Sequence, residues 1–465
     1  MAFLIGLAGL GLMVFVHELG HFVAAKLNCV DVEVFSLGWG PRLAGFRYHG
    51  TMYQVSWFPI GGYCKMKGEM VPGLAGGTGA AGSTEAGTVP VAAPVHEKGS
   101  FLAAASWRRV VIYVFGPLFN LIFALLVFSL IWGIGFKVAS SDNRVILATD
   151  YTLDKFAQAP PATVAGLMTG DRITSIDGAP VEKFQDILEN VATAPGKPLA
   201  VTVQRAESGE ARSLTITPEL DKETGAGRIG IYAWVDPVVR NVAAGSAAAI
   251  AGLRPGDRIL ETDGRPIRNT MDIFQSLAAK PPKVPITYER AGSRESAMLV
   301  FVYDAKGNPT LGLGFAFQVY RSPRLGAGGA LAKSVEETWS TITLTVKGFG
   351  LLFQGINIRN AVAGPLGITS AIGNTATSGL ELGLGAGFVA LFRLLSFLSV
   401  VLFLMNLLPI PAMDGGQIVL LVVEIVRRRP VQARIAWRLQ LIGFSLMIGL
   451  FLLVTLNDIL RMSGR

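Results

Sequence analysis

From Ala2 to Ala25 every residue is apolar or glycine except three: His17, Glu18 and His21. At about 20 residues per crossing, that stretch predicts one transmembrane helix. Three more apolar runs follow, Val110–Phe136, Phe388–Leu408 and Leu439–Leu456. The pattern therefore predicts spans over 1–27, 107–136, 388–416 (closing on an Asp-Gly motif) and 437–460. Between spans two and three, charged residues and period-two alternation return, which is the pattern of a water-facing insert. The fold class predicted is a multi-pass α-helical membrane protein with four transmembrane helices and a β-rich insert.

The insert contains a repeat. GLMTGDRITSIDGAPV begins at Gly166 and GLRPGDRILETDGRPI at Gly252, with nine of sixteen positions identical. Each block leads into a helix-like run, from Phe184 and from Asp272, and then a β-rich run, from Leu199 and from Pro285. A Gly-Asp turn, an alternating strand and an Asp-Gly hairpin turn recur in each copy. The repeat resembles the PDZ domain, and it predicts two tandem PDZ-like modules over 138–226 and 227–306. Farther on, 333–357 has the spacing of an amphipathic helix. It fits either the outer membrane surface or a helix packed on the repeats.

The loop over 28–106 has two contrasting parts. Residues 53–67, YQVSWFPIGGYCKMK, mix β-formers with Pro and Gly-Gly and read as a hairpin too apolar for free solution. Residues 72–94 are Gly-, Ala- and Pro-rich and read as a disordered linker.

Composition agrees with a membrane setting. Hydrophobic residues make up 51% of the 465, charged residues only 16%, and mean hydropathy is +0.47. Disordered chains, coiled coils and an ordinary soluble enzyme are excluded by that balance. The net charge of +8 does not gather into the basic, aromatic-interleaved stripe of a nucleic-acid binder. Its tightest cluster, Arg427–Arg429 with Arg434 and Arg438, lies between spans three and four. Lys26, Arg42, Arg47, Arg108 and Arg109 flank or fill the first loop. The positive-inside rule then makes both loops cytoplasmic and the insert extracytoplasmic. Cys29 and Cys64 fall in the first loop and make no disulfide framework. The first span lacks the basic start and A-x-A site of a signal peptide, and is read as retained.

His17-Glu18-Leu19-Gly20-His21 is H-E-x-x-H. Helical positions i and i+4 share a face, so both imidazoles reach one metal, with Glu18 beside them to take a proton from an attacking water. Ionisable groups at bilayer depth are costly, and three in five residues need a common partner. A catalytic zinc site wants three protein ligands and an open position. His49 lies in a loop and His96 beside the linker. Asp414, in NLLPIPAMDGG (Asn406–Gly416), is the better third ligand: Pro409 and Pro411 break the helix, and Gly415-Gly416 are read as permitting a sharp turn.

These residues, with Gly116-Pro117-Leu118-Phe119-Asn120, resemble the three motifs of the site-2 proteases, intramembrane zinc metalloproteases. Four spans and a tandem PDZ-like insert are similar to the bacterial regulator-of-sigma-E (RseP) type. The resemblance covers nearly the whole chain. One departure is Met413, where the family usually has Leu. The resemblance implies one catalytic Zn²⁺ on His17, His21 and Asp414, with Glu18 as general base. It implies that the apolar hairpin, Gly61 and Gly62 included, pairs with the extended substrate. Asn120 and Asn406 match family asparagines near the substrate, and AGPLGI from Ala363 matches a segment that helps admit it. The implied substrate is a single-span membrane protein, typically an anti-sigma factor first trimmed by an upstream site-1 protease; remnant signal peptides also fit. The implied location is the bacterial inner membrane, with the active site near its cytoplasmic face. A non-catalytic, membrane-anchored PDZ adaptor is the competing reading, and the intact H-E-x-x-H and Asp414 oppose it.

Overall fold

A helix satisfies its backbone hydrogen bonds internally, and in lipid that requirement leaves long apolar runs little alternative. The computed structural model describes residues 1–69, 97–151, 158–206, 208–222, 225–279, 281–301, 311–352, 363–380, 383–429 and 431–462. Among these, four helices are long and apolar enough to cross a membrane: Ala2–Leu27, Ser106–Ile134, Leu384–Asn406 and Arg434–Arg461. They are spans one to four. Residues 72–94, expected as a disordered linker, lie outside the described residues, as does His96. The chain divides into a membrane unit (1–136, 322–350 and 358–465) and an insert (137–321).

In the membrane unit, span one packs on span two and on a helix the sequence did not predict, Pro365–Leu380. Small residues permit these approaches. A Cβ on Gly20 would overlap the Phe115 carbonyl of span two, and one on Gly6 would overlap the Thr369 carbonyl. The expected amphipathic helix spans Ala327–Leu352, earlier than 333–357, and residues 353–357 lie outside the described set. It is tied to spans two and three through Glu337, which accepts from Trp132 Nε1 at 2.7 Å and Arg393 Nε at 2.9 Å.

The predicted hairpin over 53–67 is only the second half of a larger one. Val32–Tyr48 (β1) pairs with Thr51–Met66 (β2) around a turn at His49-Gly50. Both strands bend, so that β1 is paired on two sides: Phe35 faces Tyr53 and Cys64, and Leu37 faces Val55 and Gly62. Phe35, Cys64 and Met66 are buried against span one residues such as Ala24 and Ala25.

In the insert, the repeat gives two sheets of the same order. One runs 179–180, 172–176, 199–204, 211–216, and the other 265–266, 258–262, 283–290, 293–300. The helices Phe184–Ala192 and Thr270–Leu277 each send isoleucine into the core beside them. Module limits differ from 226 and 306. Ile231–Ala233 pairs with Val145–Leu147, and Leu313–Phe315 pairs with Val239–Val242. Each module is thus closed by a strand that returns to its first one, a long-range pairing that no local pattern marks.

The repeated aspartate of Gly-Asp-Arg has the same structural role in both copies. Asp171 accepts from Met168 N at 2.9 Å and from Arg205 at 2.8 Å, while Arg205 also donates to the Gly166 carbonyl at 2.7 Å. Asp257, Arg254 N, Arg290 and the Gly252 carbonyl repeat that network. Asp171 is 1% exposed, so removing it strands a partly buried guanidinium. Asp171→Ala is expected to destabilise the first module by about 2–3 kcal/mol. Hydrogen exchange should read this as a loss of protection of about 30- to 160-fold over 199–204, with 283–290 unchanged; equal protection would refute it.

Candidate active site

The site begins with helical spacing. His17 and His21 lie one turn apart on span one, and their Nε2 atoms are 3.2 Å apart. Asp414 comes to them from across the fold. His17 Nε2 is 3.2 Å from Asp414 Oδ2, and His21 Nε2 is 3.4 Å from Oδ1. Asp414 Oδ2 is buried with no hydrogen-bond donor. Three ligand atoms within 4.8 Å, one of them an orphaned buried carboxylate oxygen, fit a cation placed among them. The donor set, two imidazoles and one carboxylate, suits Zn²⁺ with an open position.

Asp414 reaches this point through a break in the helix. Span three ends at Asn406, and Pro409 and Pro411 keep the following residues out of a helix. Asp414 is then the first residue of a new helix, Asp414–Arg427. The two glycines do not make the turn, contrary to the sequence reading. Neither has a positive φ; the left-handed residue is Ala412, at φ 77°. Gly415 and Gly416 serve instead as clearance, since a Cβ on either would overlap the carbonyls of Leu407, Leu408 or Ile410. Ala412, a non-glycine residue held at positive φ, stores backbone strain two residues before a ligand.

Partners outside the ligand trio set the imidazoles. His21 Nδ1 lies 2.9 Å from the Ile112 carbonyl, so that its N–H donates there and Nε2 keeps its lone pair for a metal. The Asn120 side-chain amide lies 3.4 Å from both His17 Nδ1 and Ser399 Oγ; with Nε2 on a metal, Nδ1 carries the imidazole proton and donates it to the amide oxygen. Asn120 is fully buried. That places it behind His17 and outside the residues that line the cavity. Span two comes this close because residue 116 is glycine; a Cβ there would overlap the His21 ring.

A cavity of about 400 Å³ opens onto the trio. Glu18, Gly62, Asn406 and the strand segment 62–66 line it. Among the described residues, that segment pairs with 32–37 on one side only. A Cβ on Gly62 would touch Glu18 Cγ at 3.4 Å, so the strand packs against the stem of the Glu18 side chain. Gly61 plays another part: at φ 90° it turns the strand, and a Cβ would press on Trp39. His49 is exposed at the far turn of the hairpin and absent from the ligand group.

Sequence reasoning missed Glu69, Tyr113, Gln417 and Gln440, which also line the cavity. Glu69 accepts from the Tyr113 hydroxyl at 3.0 Å and from Met66 N at 3.4 Å. Burial pushes its carboxyl up to about 7, against the lowering effect of those two bonds. Gln417 and Gln440 are joined at 3.1 Å, linking the Asp414 helix to span four. No motif spacing marks any of these four residues.

The profile of peptidase family M50 matches residues 5–450. A Treponema pallidum protein described as a zinc metalloprotease is 35% identical over 98% of both chains. Regulator of sigma-E protease RseP of Escherichia coli is 29% identical, again over 98% of both. A PDZ domain of a Listeria monocytogenes protein aligns at 25% identity with 18% of this chain and 90% of its own, with a TM-score of 0.16 too low to bear on the fold.

Proposed function

The chain belongs to peptidase family M50 and is an intramembrane zinc metalloprotease of the site-2 type, and we propose that it cuts single-span membrane proteins of the anti-sigma-factor kind after an upstream protease has trimmed them. The observation that carries this reading is one cavity shared by three metal-ligand atoms, a free carboxylate and a one-sided strand edge. The name of the Escherichia coli relative, a regulator of sigma-E protease, supports the substrate class.

His17, His21 and Asp414 hold the zinc, and Glu18 is the general base. When bound there, zinc supplies Lewis acidity toward a peptide carbonyl and brings the pKa of an attacking water toward about 7. The chain's own residues do the rest. Glu18 accepts the proton of the attacking water and returns it to the leaving amine. A helical substrate hides its carbonyls in i→i−4 bonds, so it must unwind before it can be cut. The free edge at 62–66 offers the unwound segment replacement backbone bonds, with Asn406 at the cavity wall as a further contact for its backbone. His17 lies nine residues before Lys26, roughly 13 Å along the helix at 1.5 Å per residue, which supports a site on the cytoplasmic side of the inner membrane. The insert, read as tandem PDZ-like modules, is then extracytoplasmic.

The test is a pair of model substrates sharing one transmembrane segment. One keeps a folded extracytoplasmic domain, and the other ends in a short tail. Proteoliposome cleavage is expected for the short form and at least tenfold slower for the long one. Equal rates would overturn the requirement for trimming, and failure to cut either would overturn the substrate class.

A further inference from the structure

The helix Asp414–Arg427 carries a feature that catalysis does not use. Beyond its first turn, one face is committed: Leu421 is buried, and the helix packs against span two. Glu424 on the same side pairs with Arg109 at 2.8 Å. The opposite face holds Val419, Val422, Val423 and Val426, exposed at 46, 45, 37 and 76%. These positions, i, i+3, i+4 and i+7, form one stripe.

At its end the helix meets Arg427, Arg428 and Arg429, all exposed. Arg428 adopts a left-handed conformation, φ 53°, which stops the helix and turns the chain. None of the three has a carboxylate partner among the described residues, although Arg109 nearby in the fold does. Arg434 and Arg438 follow, one turn apart and exposed at the start of span four. At 14 residues the helix is about 21 Å long, too short to span a hydrocarbon core of about 30 Å. A helix that starts at the metal ligand inside the membrane and ends on three unpaired arginines therefore ends at the headgroup level.

We propose that this helix is a binding site for an anionic phospholipid, with the acyl chains on the Val419–Val426 stripe and the phosphate on Arg427–Arg429. Charge complementarity selects the headgroup, and the valine stripe selects a lipid over a free phosphate. A topology signal alone would need the positive charge but no preference among lipids. The site matters to the enzyme because Asp414 is the first residue of the same rigid helix. A lipid that anchors the arginine end steadies the ligand end. That consequence rests on the protease reading; the binding itself does not.

Binding is measured on the Glu18→Gln protein, where no turnover complicates the readout and where failure of the lipid site is distinct from failure of the proteolytic assignment. Native mass spectrometry of the solubilised protein, offered phosphatidylglycerol and phosphatidylcholine in equal amounts, should show phosphatidylglycerol retained. Each basic residue at a membrane surface is worth about fivefold. The combined variant R427Q/R428Q/R429Q should lose the preference by roughly 100-fold, whereas R427K/R428K/R429K should keep most of it. Zinc content and the thermal unfolding midpoint check that both variants are folded. In an otherwise wild-type chain, cleavage in phosphatidylcholine vesicles should rise several-fold when phosphatidylglycerol is added, and the glutamine variant should not respond. Equal retention of the two lipids by the Glu18→Gln protein, or an undiminished preference in the glutamine variant, would overturn the proposal.

Discussion

Glu18→Gln is expected to lower the cleavage rate by 10²- to 10⁴-fold while zinc content stays at one ion per chain. Glutamine keeps the shape of the side chain and its place beneath Gly62 but cannot take a proton as a carboxylate does. A positioned general base contributes about that range. Glu18 is not among the three residues whose ligand atoms converge, so its loss leaves the metal donors intact. The measurement pairs cleavage of a short-tailed transmembrane substrate with metal analysis of the same preparation. A rate within about tenfold of wild type would remove Glu18 from the chemistry. Zinc loss in this variant would instead make it a ligand, and the assignment of Asp414 would need revision.

Asp414→Ala should have the other large effect, and of a different kind: zinc and activity disappear together. Its carboxylate supplies one of three donors and faces both imidazoles, at 3.2 and 3.4 Å. Partners outside the ligand set are worth about 10- to 100-fold in metal affinity, so removal of a ligand should exceed 100-fold. His49→Ala is the control, since His49 sits at the exposed hairpin turn and should lose neither zinc nor activity. Competition with a chelator of known affinity reads the change directly. An Asp414→Ala protein that holds zinc as tightly as wild type would dismiss the ligand set.

What could be read from the sequence follows the range of each interaction. His17, Glu18 and His21 were legible because helical periodicity alone puts two of them on one face. Asp414 was legible through the prolines that break span three, although the reason given for Gly415 and Gly416 was mistaken: they clear space for carbonyls, and Ala412 makes the turn. Asn120 was found by motif, yet its amide turned out to address His17 rather than the cavity. Glu69 and Tyr113 could not be found, because their bond joins residues 44 apart with no period connecting them. The first strand of the hairpin was hidden by Gly38, Gly40, Pro41 and Gly45, which punctuate Val32–Tyr48 like a loop. The helix Pro365–Leu380 was hidden by its own glycines, serines and threonines; it forms because Gly6 and Gly373 let it lie close against span one.

In the insert, Lys137–Ser140 pairs antiparallel with Gln318–Arg321, and Lys137 lies opposite Arg321. The polypeptide therefore enters and leaves the insert through a single doorway. Some 185 residues of sequence hang from two adjacent backbone positions. Such an arrangement is a cassette: its interior can lengthen, shrink or be exchanged through recombination without changing the distance that the rest of the chain must bridge. Selection can then reshape the insert on one schedule and hold the metal-binding helices to another, within one open reading frame.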